Sequence, residues 1–253
     1  MRIGVSTLLF NIKECLVMCE KIDVIKHIEI GIDNIKECSE LYEYRDYINK
    51  LGLSIGIHLP MELNTCENIE YIKDSWIKYI QELEKNLEGF NIEYFNLHLG
   101  YVMKNRLSKN RDKYLNISSE FLDNIKLNKN TVITIENTYS KDGDFCNIGN
   151  KVYDFEYIFN KIKNDKTYLC YDTGHYLINK DEYIKNMKDK IKVIHLSDND
   201  GINDIHIGIG KGILSEKHII EVLKLNPDYL VLEINYEHIK DTIKKLNSIK
   251  STY

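Results

Sequence analysis

Residues 154–172, DFEYIFNKIKNDKTYLCYD, change their hydrophobic period within one short stretch. Over 154–163 the apolar residues Phe155, Ile158, Phe159 and Ile162 recur three and four apart, with Lys, Glu and Asn between them. That is the pattern of a helix burying one face. Over 167–172 the chain is a compact run of aromatic and apolar residues that stops on Asp172. Such a run reads as a buried strand. A helix feeding a strand of this kind is the building block of a parallel sheet.

The same alternation extends in both directions. Strand-like runs occur at 2–7 (RIGVST), 25–30 (IKHIEI), 53–58 (LSIGIH), 92–98 (IEYFNLH), 131–136 (TVITIE), 167–172, 191–196 (IKVIHL) and 229–234 (YLVLEI). Helix-period segments lie between them, the longest being CENIEYIKDSWIKYIQELEKNLEGF at 66–90. Eight strand-helix units predict a single (β/α)8 barrel domain spanning 1–253. No composition break or proline-rich linker divides the chain, which has only two prolines.

Composition limits the partners. The chain is 43% hydrophobic and 29% charged, ordinary for a globular protein, with a formal net charge of −5. A negative chain has no overall attraction for a polyanion, so nucleic acid would need a local basic surface. No apolar run approaches the roughly 18 residues of a membrane span. The six cysteines, at 15, 19, 38, 66, 146 and 170, form no C-x-x-C pair, and no secretory leader is apparent. A reducing cytoplasm is the expected setting.

Buried strands should be apolar, yet most of these end in a potential metal ligand. His58, His98, Glu136, Asp172 and His195 stand at or next to the ends of strands three to seven, and Glu233 stands near the end of strand eight. In a barrel these positions meet at the C-terminal mouth, where active sites of this fold lie. Crowding such carboxylates without a cation would cost several kcal/mol, about the scale of an unpaired buried charge. A mixed imidazole and carboxylate set suits Zn, Mn, Fe or Co better than Mg or Ca.

Further candidates follow the strands. His175 lies three residues beyond Asp172, and Asp204 and His206 have the D-x-H spacing that turns two side chains of an extended loop to one side. Asp198 and Asp200 belong to a D-N-D-G sequence and are expected to shape a turn. Lys211, in the glycine-rich HIGIGKGIL, is a weaker candidate for binding phosphate. His27, His218 and His238 are expected to be structural or solvent-facing.

The motifs IHLPMELN, NLHLG, TIENT, YDTGH, IHLSDNDGINDIHIGIGKG and LEI occur in one order along the whole chain. Together they resemble the xylose isomerase-like TIM barrel superfamily, which holds sugar isomerases and epimerases and also endonuclease IV (AP endonuclease family 2). The isomerase branch implies one divalent ion on Glu136, Asp172, His195 and Glu233, with Glu136 and Glu233 as catalytic acid and base. Endonuclease IV implies three zinc ions on nine side chains, matched here by His58, His98, Glu136, Asp172, His175, His195, Asp204, His206 and Glu233.

Two departures separate the chain from DNA repair. Met61 stands where endonuclease IV carries an aromatic wedge, and the acidic GIDNIKE replaces a basic DNA-penetrating loop. Arginine occurs only four times. The expectation is therefore a divalent-metal-dependent sugar or sugar-phosphate isomerase or epimerase with one ion and a carbohydrate substrate. An endonuclease IV-like phosphodiesterase with three ions, acting at abasic sites in DNA, is the alternative. In the first case His58, His98, His175, Asp204 and His206 bind substrate; in the second they bind metal.

Overall fold

The computed structural model describes residues 1–128 and 130–251. Eight parallel strands close into a barrel: β1 (Arg2–Leu8), β2 (Ile25–Gly31), β3 (Ser54–His58), β4 (Ile92–His98), β5 (Val132–Glu136), β6 (Thr167–Asp172), β7 (Ile191–Leu196) and β8 (Tyr229–Leu232). Each strand pairs with its neighbours in sequence, and β8 pairs with β1 to close the ring. All eight expected runs are strands. Pairing of β8 stops at Leu232, one residue before Glu233, although the Glu233 amide still donates to Leu196 O at 3.2 Å.

Alternation along the strands divides the core into two parts. Ile28, Ile30, Ile55, Ile57, Phe95, Leu97, Ile133 and Ile135 belong to the apolar layer shared with the surrounding helices. Tyr94, Cys170, Val193, Tyr229 and Val231 form a separate cluster inside the barrel. Burying one such aliphatic side chain contributes about 1.5–3 kcal/mol, so the period-two pattern strongly fixes which residues face inward.

Two glycines give the interior rings their room. A Cβ at Gly56 would lie 2.3 Å from Tyr94 Cζ, and one at Gly4 would lie 2.8 Å from His27 Cδ2. Larger residues at these positions would push the rings out of the barrel.

The helix expected over 154–163 covers Val152–Lys161. Phe155 and Ile158 are buried as expected, but so is Asp154. Its carboxylate receives Arg111 Nε and Nη2, both at 2.5 Å, and the Gly149 amide at 2.8 Å. Arg111 comes from the helix Arg111–Asn124, far along the chain. The long segment 66–90 is helical over Glu70–Asn86.

A short antiparallel ladder, Tyr101–Met103 with Phe145–Asn147, joins the loops that leave β4 and β5. All six cysteines are free thiols, five of them buried. Among the described residues no helix is long and apolar enough to cross a membrane.

A candidate metal centre at the barrel mouth

Strand register brings the sequence candidates to one level. His98 pairs with Glu136 across β4 and β5, and Asp172 with His195 across β6 and β7. Above them opens a cavity of about 540 Å³, lined in part by His58, His98, Glu136, His175, Asp204 and Glu233. This volume is in the range of small-molecule sites.

The nine side chains fall into three groups. In the first, Glu136 Oε2 lies 3.4 Å from His58 Nε2, and Glu136 Oε1 lies 3.4 Å from His98 Nε2. In the second, one ligand atom each from Glu136, Asp172, His195 and Glu233 lies within 4.8 Å of all the others. The third places Asp204 Oδ2 at 3.2 Å from His175 Nε2 and 3.4 Å from His206 Nε2. Glu136 belongs to the first two groups and also lies 3.2 Å from His175 Nδ1.

Local structure aims these groups. His58 Nδ1 donates to Leu59 O at 2.9 Å, His175 Nδ1 to Asn137 O at 2.8 Å, and His206 Nδ1 to Glu233 O at 3.0 Å. A carbonyl only accepts, so these bonds hold the proton on Nδ1 and turn the three Nε2 atoms to the site, where each can ligate once its ring is neutral. Asp172 caps the helix Thr173–Ile178 by accepting the His175 amide on Oδ1 at 2.5 Å, leaving Oδ2 free.

The loop after β7 is folded by Asp198. Its buried carboxylate accepts the amides of Gly210, Gly212 and Leu214 at 2.9, 3.0 and 2.8 Å, drawing residues 199–214 back over the mouth. Asp200 accepts the amides of Ile202 and Asn203. Both aspartates therefore hold the turn together. His206 has a left-handed backbone, φ 48°, held by the bond to Glu233 O.

A test for a cation comes from atoms without partners. Asp172 Oδ2, His195 Nδ1, Asp204 Oδ1 and Glu233 Oε2 are buried and lack a hydrogen bond. His195 Nδ1 and Glu233 Oε2 are only 2.9 Å apart, but their approach lacks hydrogen-bond alignment. Each such atom costs about 1–3 kcal/mol when unsatisfied; a divalent ion among Glu136, Asp172, His195 and Glu233 would satisfy the three that belong to that group, and Asp204 Oδ1 lies outside it. The first two groups, mixed imidazole and carboxylate with ligand atoms within 4.8 Å of one another, fit an N/O-ligated transition metal, and in the third Asp204 Oδ2 reaches both rings.

Charge in the site is strongly displaced. Burial pushes the Asp172 carboxyl up to about 7, against the pull of His175. Burial also opposes ionisation of Glu136 and Glu233, but His195 beside both overcomes it, with His98 adding to the effect at Glu136. Glu136 is held well below the usual carboxylate range and Glu233 is brought down to about 2. Burial lowers His98. For His58 burial is outweighed by Glu136, raising the ring to about 9, and the bond to Asp204 raises His206 to about 9.

Lys211 does not line the cavity. Its ammonium lies 2.8 Å from His238 Nδ1, while Asp198 takes up amides of the glycine-rich loop. His218 stacks on Tyr176 with ring centroids 4.4 Å apart. His27 is buried inside the barrel below the site, bonded to Ser54 Oγ at 2.9 Å and Tyr94 OH at 3.0 Å.

Three site residues escape a search for polar strand ends. Glu29 lies 2.9 Å from His195 Nε2, Asn96 Nδ2 donates to Glu136 Oε2 at 2.5 Å, and Asn137 Nδ2 donates to Asp172 O at 3.0 Å. Glu29 and Asn96 each stand two residues before their strand's last residue, where period two returns a side chain to the interior. A charged residue between Ile28 and Ile30 was the available signal.

Comparison with known proteins agrees with this architecture. The xylose isomerase-like TIM barrel family model matches residues 13–251. An uncharacterized protein of Methanocaldococcus jannaschii, MJ1614, is 28% identical over 261 residues, covering 99% of this chain and 90% of the relative. A probable endonuclease 4 of Finegoldia magna is 27% identical over 205 residues, covering 74% and 70%. Among solved structures, a D-tagatose 3-epimerase-like protein superposes with a TM-score of 0.81 at 20% identity, covering 99% and 97%. Endonuclease IV from Thermus thermophilus gives 0.68 at 15% identity, covering each chain completely. At these identities the superpositions speak for the fold. With the family model matching nearly the whole length, the chain belongs to the xylose isomerase-like TIM barrel family.

Proposed function

We propose that the protein hydrolyses phosphodiesters at a cluster of divalent ions. The observation that carries this reading is the third donor group, His175, Asp204 and His206, assembled beside two groups that already share Glu136. One ion needs four or so ligands, and nine convergent ones exceed that need. His58, His98 and Glu136 would hold one ion, Glu136, Asp172, His195 and Glu233 a second, and the remaining three residues a third.

Bound ions would supply Lewis acidity to phosphoryl oxygens and lower the pKa of water to give a nucleophile. The chain's own residues supply geometry. Asn96 donates to Glu136 and is held in turn by Thr134 Oγ1 at 2.8 Å, so the shared carboxylate is oriented from below. Backbone carbonyls fix the rings of His58, His175 and His206. Asp204 and His206 overhang the mouth and meet the substrate side of the site.

A duplex containing one abasic site and a simple aryl phosphodiester are the substrates to test, with zinc-loaded protein. Cleavage of either, lost in Asp204→Ala, supports the reading. Inactivity on both with full zinc occupancy counts against it.

Sugar isomerisation or epimerisation is favoured by a different observation. Glu136 and Glu233 belong to one four-residue group and both line the cavity, as a pair exchanging a carbon-bound proton requires. The net charge of −5 and the scarcity of arginine also suit a small carbohydrate better than a duplex. Turnover in a ketose panel with a single ion per chain would favour this second reading. The free thiols suit a reducing, cytoplasmic setting for either reaction.

A further inference from the structure

We propose that Glu29 is the positioning residue that selects which nitrogen of His195 faces the metals. The inference needs an ion at His195 but is independent of which reaction the site performs.

His195 is turned the opposite way from the other oriented rings. His58, His175 and His206 give Nδ1 to a backbone carbonyl and present Nε2 to the site. His195 instead directs Nε2 at Glu29, 2.9 Å from Oε1 and 3.0 Å from Oε2, and presents Nδ1 to Glu136, Asp172 and Glu233. Both His195 and Glu29 are buried, so no bulk water competes for Nε2.

The direction of every proton in the chain below follows from one fact: a carboxylate only accepts. His195 Nε2 must therefore donate to Glu29, and so must Tyr94 OH, which lies 2.5 Å from Glu29 Oε2. With its proton committed, Tyr94 accepts from His27 Nε2 at 3.0 Å. His27 Nδ1 is then left as an acceptor for Ser54 Oγ at 2.9 Å, nearer than the other acceptor open to that hydroxyl, Lys26 O at 3.3 Å. Each buried group has a partner under this single arrangement, and with the Nε2 proton held by Glu29 the nitrogen that His195 can give to a metal is Nδ1. That nitrogen is one of the buried atoms without a hydrogen bond.

Gly56 and Gly4 make this chain possible by leaving space for the Tyr94 and His27 rings. The barrel floor thus becomes part of the metal site. A carboxylate behind a ligating histidine fixes its tautomer and raises its basicity.

The test is a long-range ¹H–¹⁵N correlation spectrum of zinc-loaded wild-type protein labelled at histidine. The expected result is His195 protonated on Nε2 and zinc-ligated through Nδ1, with His58, His175 and His206 showing the reverse. A ligated His195 protonated on Nδ1 overturns the positioning role while leaving the metal assignment intact. A His195 signal indifferent to zinc overturns the metal assignment and this role with it. In Glu29→Leu, zinc affinity measured against a chromophoric chelator should fall about 10–100-fold, with unchanged far-ultraviolet circular dichroism. Wild-type affinity in that variant also overturns the proposal.

Discussion

Glu136 Oε2 lies 3.3 Å from His195 Nδ1. The same carboxylate faces His58 and His98, so Glu136 joins two donor groups that otherwise share no residue. Glu136→Ala should therefore cost ions from both groups, while a change confined to one group should cost one. Elemental analysis of zinc-loaded variant and wild type measures the difference.

Asp204→Ala isolates the third group. Asp204 bonds only the two histidines of that group among the site rings, so the variant should lose about one zinc and retain the rest. Phosphodiester turnover should drop by at least about 10²-fold, the scale of losing one electrostatic stabiliser of a transition state. Turnover at the wild-type rate would detach the third group from the chemistry.

Zinc affinity should rise with pH. Without metal, His58 and His206 sit at about 9, raised from 6.5, so both rings are protonated at pH 7. A ligating imidazole is neutral, and zinc binding must expel those protons. Below about pH 9 each ring should contribute up to about tenfold in affinity per pH unit, and the gain should end once pH passes 9. Calorimetric titrations in buffers of different ionisation enthalpy would report the released protons; affinity that stays flat between pH 6 and 9 would contradict the assignment.

Gly56→Ala should destabilise the barrel. The added carbon would meet the ring of Tyr94, not a flexible chain end, and overpacking of this kind costs about 1–3 kcal/mol. Urea unfolding gives the value directly, and an unchanged midpoint would show that the ring relocates freely.

Arg111→Met should be costlier. It would leave the Asp154 carboxylate, now bound by Arg111 Nε and Nη2, buried without its cation. Breaking one side of a buried pair costs about 3–5 kcal/mol. A loss below 1 kcal/mol in urea unfolding would mean the carboxylate finds water.

The sequence made the barrel legible because its two periods differ so plainly: TYLCYD and DFEYIFNKIK require different elements. The strand-end candidates were legible for the same reason, since His98, Glu136 and Asp172 each close an apolar run. What lay deeper was harder to see. Glu29 reads as one charged residue in a strand, and only barrel closure brings β2 opposite β7 so that it meets His195. Asp154 occupies an apparently polar helix position and becomes buried through Arg111, a partner supplied by another helix. The short ladder between Val102 and Cys146 joins two loops with no strand-like length of their own. Such features depend on contacts between distant segments, which hydrophobic period does not encode.

The number of ions at the mouth tests the central reading most directly. Zinc-loaded wild-type protein, freed of loosely bound metal by gel filtration and analysed by inductively coupled plasma mass spectrometry, should carry about three zinc ions per chain, the number its three donor groups would hold. A single ion per chain would contradict the clustered-metal account and favour sugar isomerisation at Glu136 and Glu233.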